Sequence, residues 1–217
     1  MPLTGRYRAV VFDMDGLLLD TETLWDRAEG ELFRRHGGEW TFEDKLAVMG
    51  TSFASSGRHY AERLGQPEDH GPALANEMRG YMLDELERQV DAHPGAFELI
   101  ERLRALGTVR IGLASNSSRD IVDAALRAAG LTDAFDTIVT SDDVEHAKPA
   151  PDLYLLACER LGVAPGDALA LEDTSSGIAA AKAAGLTCIA VPQFAETDVT
   201  AADRVVASLE ELLVADS

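Results

Sequence analysis

The sequence predicts an α/β protein, a doubly wound parallel sheet core into which an all-α domain is inserted. Three observations predict it: a strand-like apolar run at 7–12 that ends in Asp13-Met14-Asp15-Gly16, a stretch of helical spacing over 20–91 broken by glycines, and helix and strand patterns that alternate from 96 onward. Strands that alternate with helices build right-handed βαβ units on a parallel sheet. A chain of 217 residues with 46% hydrophobic composition holds one substantial domain and an insertion.

The run Val10-Val11-Phe12 fits a central strand, because strands buried on both faces read as continuous apolar segments. In open α/β sheets the ligand crevice lies beyond the carboxyl ends of the strands, which is where Asp13 and Asp15 fall. The alternative at this point is a strand-to-loop turn whose carboxylates satisfy backbone donors. A calcium loop is excluded: counted from Asp13, the sixth and twelfth positions are Leu18 and Leu24 instead of Gly and Glu.

From Asp20-Thr21-Glu22-Thr23, which carries helix-start chemistry, the period becomes helical. Leu24, Ala28, Leu32 and Phe33 share a face, and helical spacing recurs at 42–49, 60–64 and 74–86, with interruptions at Gly37-Gly38, Gly50, Gly65-Gln66-Pro67 and Gly71-Pro72. After His93-Pro94-Gly95 the pattern predicts helix 96–106, strand 109–114, helix 119–129, strand 137–140, helix 152–161, strand 168–171, helix 176–184, strand 187–191 and a short strand and helix over 204–213. The core is thus expected over 1–19 and 92–217 and the insertion over 20–91. Both ends of the insertion flank the predicted crevice, the place for a lid.

Charge narrows the partners. A net charge of −19 disfavours a nucleic acid polymer or an anionic membrane. Any anionic substrate then needs local cations from side chains or a metal. No apolar run approaches the roughly 20 residues of a membrane span, and residues 1–8 lack the apolar core of a secretory signal, so a cytoplasmic protein is expected. Cys158 and Cys188 fit buried thiols of a reducing compartment.

The strand ends carry the candidate chemistry: Asp13 and Asp15, then Ser115-Asn116-Ser117, then Lys148-Pro149 in a loop, then Glu172-Asp173. Taken singly these read as helix caps, a surface lysine and a capping acid. Taken together they bring carboxylates, a hydroxyl, an amide and an ammonium to one crevice, with three of the carboxylates as a hard-oxygen site for Mg2+, the set that phosphoryl transfer needs. Asp13 attacks phosphorus only if Mg2+ and Lys148 screen the repulsion between carboxylate and phosphate. Ser115 and Asn116, with backbone N–H groups at the next helix start, would hold phosphoryl oxygens. Asp15 would protonate the leaving alkoxide and then deprotonate water, a role for which closeness to Asp13 would raise its pKa.

Phe12-Asp13-Met14-Asp15-Gly16, Ser115, Lys148-Pro149-Ala150-Pro151-Asp152 and Leu171-Glu172-Asp173 resemble, in order, the four motifs of the haloacid dehalogenase superfamily. The resemblance covers nearly the whole chain. It implies a Rossmann-like core, an aspartyl-phosphate on Asp13, acid/base action by Asp15, and Mg2+ held by Asp13, the Asp15 backbone carbonyl and Asp173, with Glu172 as a further ligand or just behind the ligands. The insertion resembles the cap of the subgroup containing β-phosphoglucomutase, pseudouridine-5'-phosphatase and many small-metabolite phosphatases.

Two departures shape the expected activity. Halide-removing members lack the second aspartate, so Asp15 argues against dehalogenation. Mutases of the subgroup carry an arginine, a histidine and a lysine in the cap, where this chain has Phe53, Trp25 and the stretch around Asn76 and Glu77, with Arg58 or Arg79 as conceivable substitutes. The expected function is a Mg2+-dependent phosphatase of a small phosphorylated metabolite, of sugar phosphate or nucleoside monophosphate type. The alternatives are a phosphomutase and a phosphate-binding module without turnover, which would be expected to have lost one of the acids or the lysine. Residues 12–22 and Val48-Met49-Gly50 look most like the pseudouridine-5'-phosphatase type. His36, His59, His70, His93 and His146 show no metal-ligand spacing and read as surface or linker residues. Trp25 reads either as cap core or as a crevice wall. Oligomeric state is left open by the sequence.

Overall fold

The structure, a computed structural model, describes residues 6–87 and 90–214. Six parallel strands form one sheet in the order β3-β2-β1-β4-β5-β6: β1 (Ala9–Phe12), β2 (Arg110–Ala114), β3 (Thr137–Val139), β4 (Ala168–Glu172), β5 (Thr187–Ala190) and β6 (Arg204–Val205). The strand order reverses beside β1, which pairs with both β2 and β4. The switch point of the sheet therefore opens at the end of β1, over Asp13.

The period-2 alternation of the strands divides the core by size. Val10, Phe12, Ile111, Leu113, Leu169, Leu171 and Ile189 face one side, where α5 (Ala96–Leu106), α6 (Arg119–Ala128) and α9 (Glu210–Val214) pack. Ala9, Val11, Ala168, Ala170, Cys188 and Ala190 face the other, under α7 (Asp152–Leu161) and α8 (Ser175–Ala184). The small residues let α7 and α8 lie close to the sheet, which is how Tyr154 and Gly177 come near the strand ends. Cys158 and Cys188 are buried free thiols on that second side.

The insertion is all-helical: α1 (Glu22–Arg35), α2 (Phe42–Val48), α3 (Phe53–Arg63) and α4 (Gly71–Leu86). Two expectations on it were too short. The pattern predicts a helix only at 60–64, yet α3 starts at Phe53, where Ser52 accepts from the Ser55 N–H at 3.4 Å and caps an otherwise weak Ser-Ser-Gly turn. Gly71-Pro72 reads as a break but opens α4, because proline at the first turn gives up only an N–H that has no helical partner. Asp44 joins the first pieces: its carboxylate closes a capping box with Thr41 and binds Arg63 and His59 on α3.

The chain crosses between the two parts twice, side by side. Leu19 bridges Ala92, the Asp20 N–H donates to the Asp91 carbonyl at 2.9 Å, and the His93 N–H donates to the Leu18 carbonyl at 2.9 Å. We propose this paired crossing as the boundary between 1–19 with 92–217 and 20–91; positions 1–5, 88–89 and 215–217 of those ranges lie outside the described residues.

Candidate active site

Asp13 follows directly on β1 and continues its ladder, its N–H donating to the Leu171 carbonyl at 3.0 Å. Its carboxylate, almost fully buried, accepts from Lys148 Nζ, and the same ammonium donates to Glu172 Oε1 at 2.6 Å. Tyr154 on α7 donates its hydroxyl to that Glu172 oxygen, and its ring lies 5.3 Å from the ammonium. Burial alone would lower the pKa of Lys148, but the charges of Asp13 and Glu172 outweigh it and raise it. The lysine is therefore a fixed cation on the floor of the cleft, at the strand ends.

Asp173 is buried beside this pair, and its Oδ1 has no hydrogen-bond partner among the described residues. A side-chain oxygen from each of Asp13, Glu172 and Asp173 falls within 4.8 Å of the others, the one such grouping among the described residues. Burial pushes Asp13 and Asp173 well above the usual carboxylate range; repulsion from neighbouring carboxylates adds to it, and the Lys148 charge opposes it. Such a cluster fits a hard divalent cation: an orphaned carboxylate oxygen gains a partner, and the charge removes the repulsion. Glycine is required on both sides. A methyl group at Gly16, whose φ is +79°, would strike Asp173 Oδ2, and one at Gly177 on α8 would fall on the Glu172 carboxylate.

Asp15 turns from the Lys148 cluster toward four donors. Thr21 Oγ1 at 2.8 Å and Trp25 Nε1 at 3.1 Å bind Oδ1; Ser117 Oγ at 2.9 Å and Ser115 Oγ at 3.4 Å bind Oδ2. Trp25 therefore faces the cleft, one of the two readings its position allowed. Ser115 is wholly buried and its hydroxyl also accepts from the Ser117 N–H, while Ser117 and Asn116 line the cleft. The Asn116 amide is fully engaged. It donates to the Gly50 carbonyl at 3.0 Å and the Lys148 carbonyl at 3.2 Å, and accepts from the Lys148 N–H at 2.8 Å.

The structure thus brings Asp13, Asp15, Ser115, Asn116, Lys148, Glu172 and Asp173 to one place. Sequence reasoning missed Tyr154 and Gly177 beside Glu172 and Thr21 beside Asp15, and it placed Ser117 at the strand end without a role, where its hydroxyl holds Asp15. Arg58 and Arg79 do not line the cleft: Arg58 binds Ser55, and Arg79 pairs with Asp120 on α6. Of the histidines, His59 serves Asp44, His36 and His146 pair with exposed carboxylates, and His70 bonds Gln66. The cleft encloses about 760 Å³ when the space of its open mouth is counted.

A buried lysine–carboxylate cluster beneath a lidded cleft, at the switch point of a parallel sheet, defines an α/β enzyme for a small anionic ligand. The family model described as haloacid dehalogenase-like hydrolase matches residues 7–185. YhcW of Bacillus subtilis is 39% identical over 186 residues, 85% of this chain and 83% of that protein. The fructose-1-phosphate phosphatase YqaB of Escherichia coli is 33% identical over 86% of this chain and 97% of its own length. A crystal structure of CbbY from Rhodobacter sphaeroides in complex with phosphate superimposes with a TM-score of 0.84 at 31% identity, covering 95% of this chain and 96% of that one. The chain belongs to the haloacid dehalogenase-like hydrolases and is a phosphatase of phosphorylated metabolites. Among the described residues no helix is long and apolar enough to cross a membrane.

Proposed function

We propose that this phosphatase is Mg2+-dependent and hydrolyses a small sugar phosphate or nucleoside monophosphate through an aspartyl-phosphate on Asp13, in the cytoplasm. The observation that carries the reading is the Asp13 carboxylate, aimed along β1 into the cleft and bound to a buried ammonium beside the orphaned Asp173 oxygen. Asp13, the Asp15 backbone carbonyl and Asp173 would hold the cation, with Glu172 behind them gripping Lys148. When bound, Mg2+ polarises the phosphoryl group and offsets its charge against Asp13.

The chain's own groups then divide the work. Asp13 supplies the attacking oxygen, and the acyl phosphate forms as the P–O bond to the alcohol breaks. Lys148 and the loop 115–117 stabilise charge on the phosphoryl oxygens, with Ser115 and Asn116 shaping that loop. Asp15, oriented by Thr21, Ser117 and Trp25, gives a proton to the leaving oxygen and later takes one from water.

The charge of the cleft favours hydrolysis over a mutase reaction. Lys45 and Lys148 are its lining cations, and both are paired, Lys45 with Glu22 at 3.1 Å and Asp26 at 2.7 Å. Among the described residues a second phosphate finds no free cation there. The test is phosphate release from 4-nitrophenyl phosphate and from a panel of sugar and nucleoside monophosphates. Turnover is expected with Mg2+, to vanish with chelator, and to be abolished in Asp13→Asn while the fold persists, since the amide is nearly isosteric but not nucleophilic. Full turnover in chelator, or in Asp13→Asn, would remove this assignment.

A further inference from the structure

One buried acid in the cleft takes no part in that chemistry. Glu29 on α1 is 4% exposed and lines the cleft together with Tyr60, Ser56 and Met78. Glu22, Trp25 and Glu29 follow one another at helical spacing along the face of α1 turned to the cleft, while Leu24, Ala28 and Leu32 pack in the core. Trp25 reaches Asp15, and Glu29 stands one turn further on, about 6 Å along the helix axis from Trp25. Its hydrogen-bond partner among the described residues is the Tyr60 hydroxyl, which donates to Oε1 at 2.8 Å. A carboxyl in such a place costs stability that an apolar side chain of similar volume would not. Its second oxygen has a use only if something in the cleft meets it.

The surroundings specify that partner. Burial pushes the Glu29 carboxyl up to about 8, so at neutral pH it carries a proton and can donate while accepting from Tyr60. The Ser56 and Thr51 hydroxyls lie 3.1 Å apart on the same lining, and Trp25 and Phe53 pack edge to face at 6.2 Å as its apolar wall. Lys45 is neutralised by Glu22 and Asp26. This end of the cleft offers uncharged donors and acceptors beside aromatic surface.

We propose that Glu29 and Tyr60 form a specificity subsite that hydrogen-bonds an uncharged hydroxyl on the carbon skeleton of the substrate, so that polyol or sugar monophosphates are taken and skeletons with a second anion at that position are refused. The inference rests on the phosphatase reading above and adds the residues that select the alcohol.

The test compares wild type, Glu29→Leu, Glu29→Gln and Tyr60→Phe on three kinds of compound: the best polyol or sugar monophosphate of a panel, its deoxy analogues lacking one hydroxyl each, and 4-nitrophenyl phosphate. Glu29→Leu is expected to lower kcat/KM for the best substrate about 10- to 100-fold, chiefly through KM, the size of one lost hydrogen bond to a buried polar group. One deoxy analogue should show the same loss with wild-type enzyme and little further loss with the variant. The aryl phosphate should change less than about threefold, because it presents no hydroxyl to read. Glu29→Gln, which still donates and accepts, should retain most of the selectivity. Tyr60→Phe removes only a hydroxyl, and it carries the test should Glu29→Leu not fold. An equal loss on all three compounds, an unchanged deoxy discrimination, or a wild-type preference for a bisphosphate would overturn the subsite while leaving the phosphatase intact. Absence of phosphate release from every compound, 4-nitrophenyl phosphate included, would overturn the phosphatase reading and the subsite with it.

Discussion

Replacing Gly177 by alanine reverses the sign that helix propensity assigns to such a change. Alanine in place of glycine within a helix ordinarily stabilises by about 0.5–1 kcal/mol. Gly177 lies in the first turn of α8, and there the new methyl group would coincide with the carboxylate of Glu172, a side chain with no exposure. Carbon and oxygen need roughly 3.5 Å, so the carboxylate must retreat by more than 1 Å. That retreat stretches its bonds to Lys148 Nζ and the Tyr154 hydroxyl. Overpacking costs about 1–3 kcal/mol and each weakened charge-assisted bond about 1.5–3 kcal/mol when lost outright. Against the propensity gain, the expected net loss is about 2–4 kcal/mol, or roughly 5–15 °C in Tm for a chain of this size.

Catalysis should fall as well, by about 10²-fold, because a misplaced Lys148 no longer meets the phosphoryl group. Thermal melting and the initial rate on 4-nitrophenyl phosphate measure both effects. Gly30→Ala is the companion measurement: a methyl group at that position in α1 meets nothing within 4 Å, and stability should rise by about 0.5–1 kcal/mol. In a Glu172→Ala background the Gly177→Ala penalty should disappear, since the carboxylate is gone. A Gly177→Ala protein as stable and as active as wild type would refute the packing argument.

Asp15→Asn should slow hydrolysis of alkyl phosphates by about 10²- to 10⁴-fold. With an activated aryl phosphate it should let the first half-reaction proceed, so that hydroxylamine-labile label builds up on the protein in a rapid quench; wild-type turnover without such label would exclude Asp15 as the base. Asp44→Ala should destabilise the helical cap by about 2–4 kcal/mol at pH 7, through loss of the α2 capping box and of a buried carboxylate's bonds to Arg63 and His59. Burial alone would raise the pKa of Asp44, but the bonds from Arg63, Thr41 and His59 outweigh it and hold it well below the usual range. A depressed folded-state pKa gives stability that is present above the unfolded value near 4 and lost as pH falls below it. Urea unfolding should therefore show the gap between wild type and Asp44→Ala closing below about pH 4, and a gap that widens in acid would contradict this account.

Sequence patterns made the core legible because its signals are local. An apolar run that stops at two carboxylates, and four strand ends with polar residues, need only a period and a sheet rule to converge, and β1 to β5 lie within two residues of their expected ends. The start of α3 was hidden because Phe53-Ala54-Ser55-Ser56-Gly57 carries little apolar periodicity; it is helical through its cap and its packing on α4. The supporting residues of the site were hidden for a different reason. Ser117 reaches Asp15 across 102 positions, and Tyr154 is one apolar-face residue among several on α7 until β4 places Glu172 beneath it. The roles of Ser117 and Tyr154 belong to tertiary juxtaposition, and no short window of sequence contains them.

The Gly50 carbonyl, which accepts from both Asn116 and Ser176, bears on how the cap is joined to the core. Two of the three Asn116 amide bonds go to the backbone of Lys148, and only one goes to the cap. Of the four donors to Asp15, Ser115 and Ser117 stand beyond the end of β2, while Thr21 and Trp25 belong to the insertion. The cap therefore meets the core site at the Gly50 carbonyl, at Asp15 through Thr21 and Trp25, and at Asp120 through Arg79. The bonds that hold the strand ends together, from Ser115 and Ser117 to Asp15 and from Lys148 to Asp13 and Glu172, run within the core and owe nothing to those contacts. A displacement of the cap would leave the lysine loop assembled.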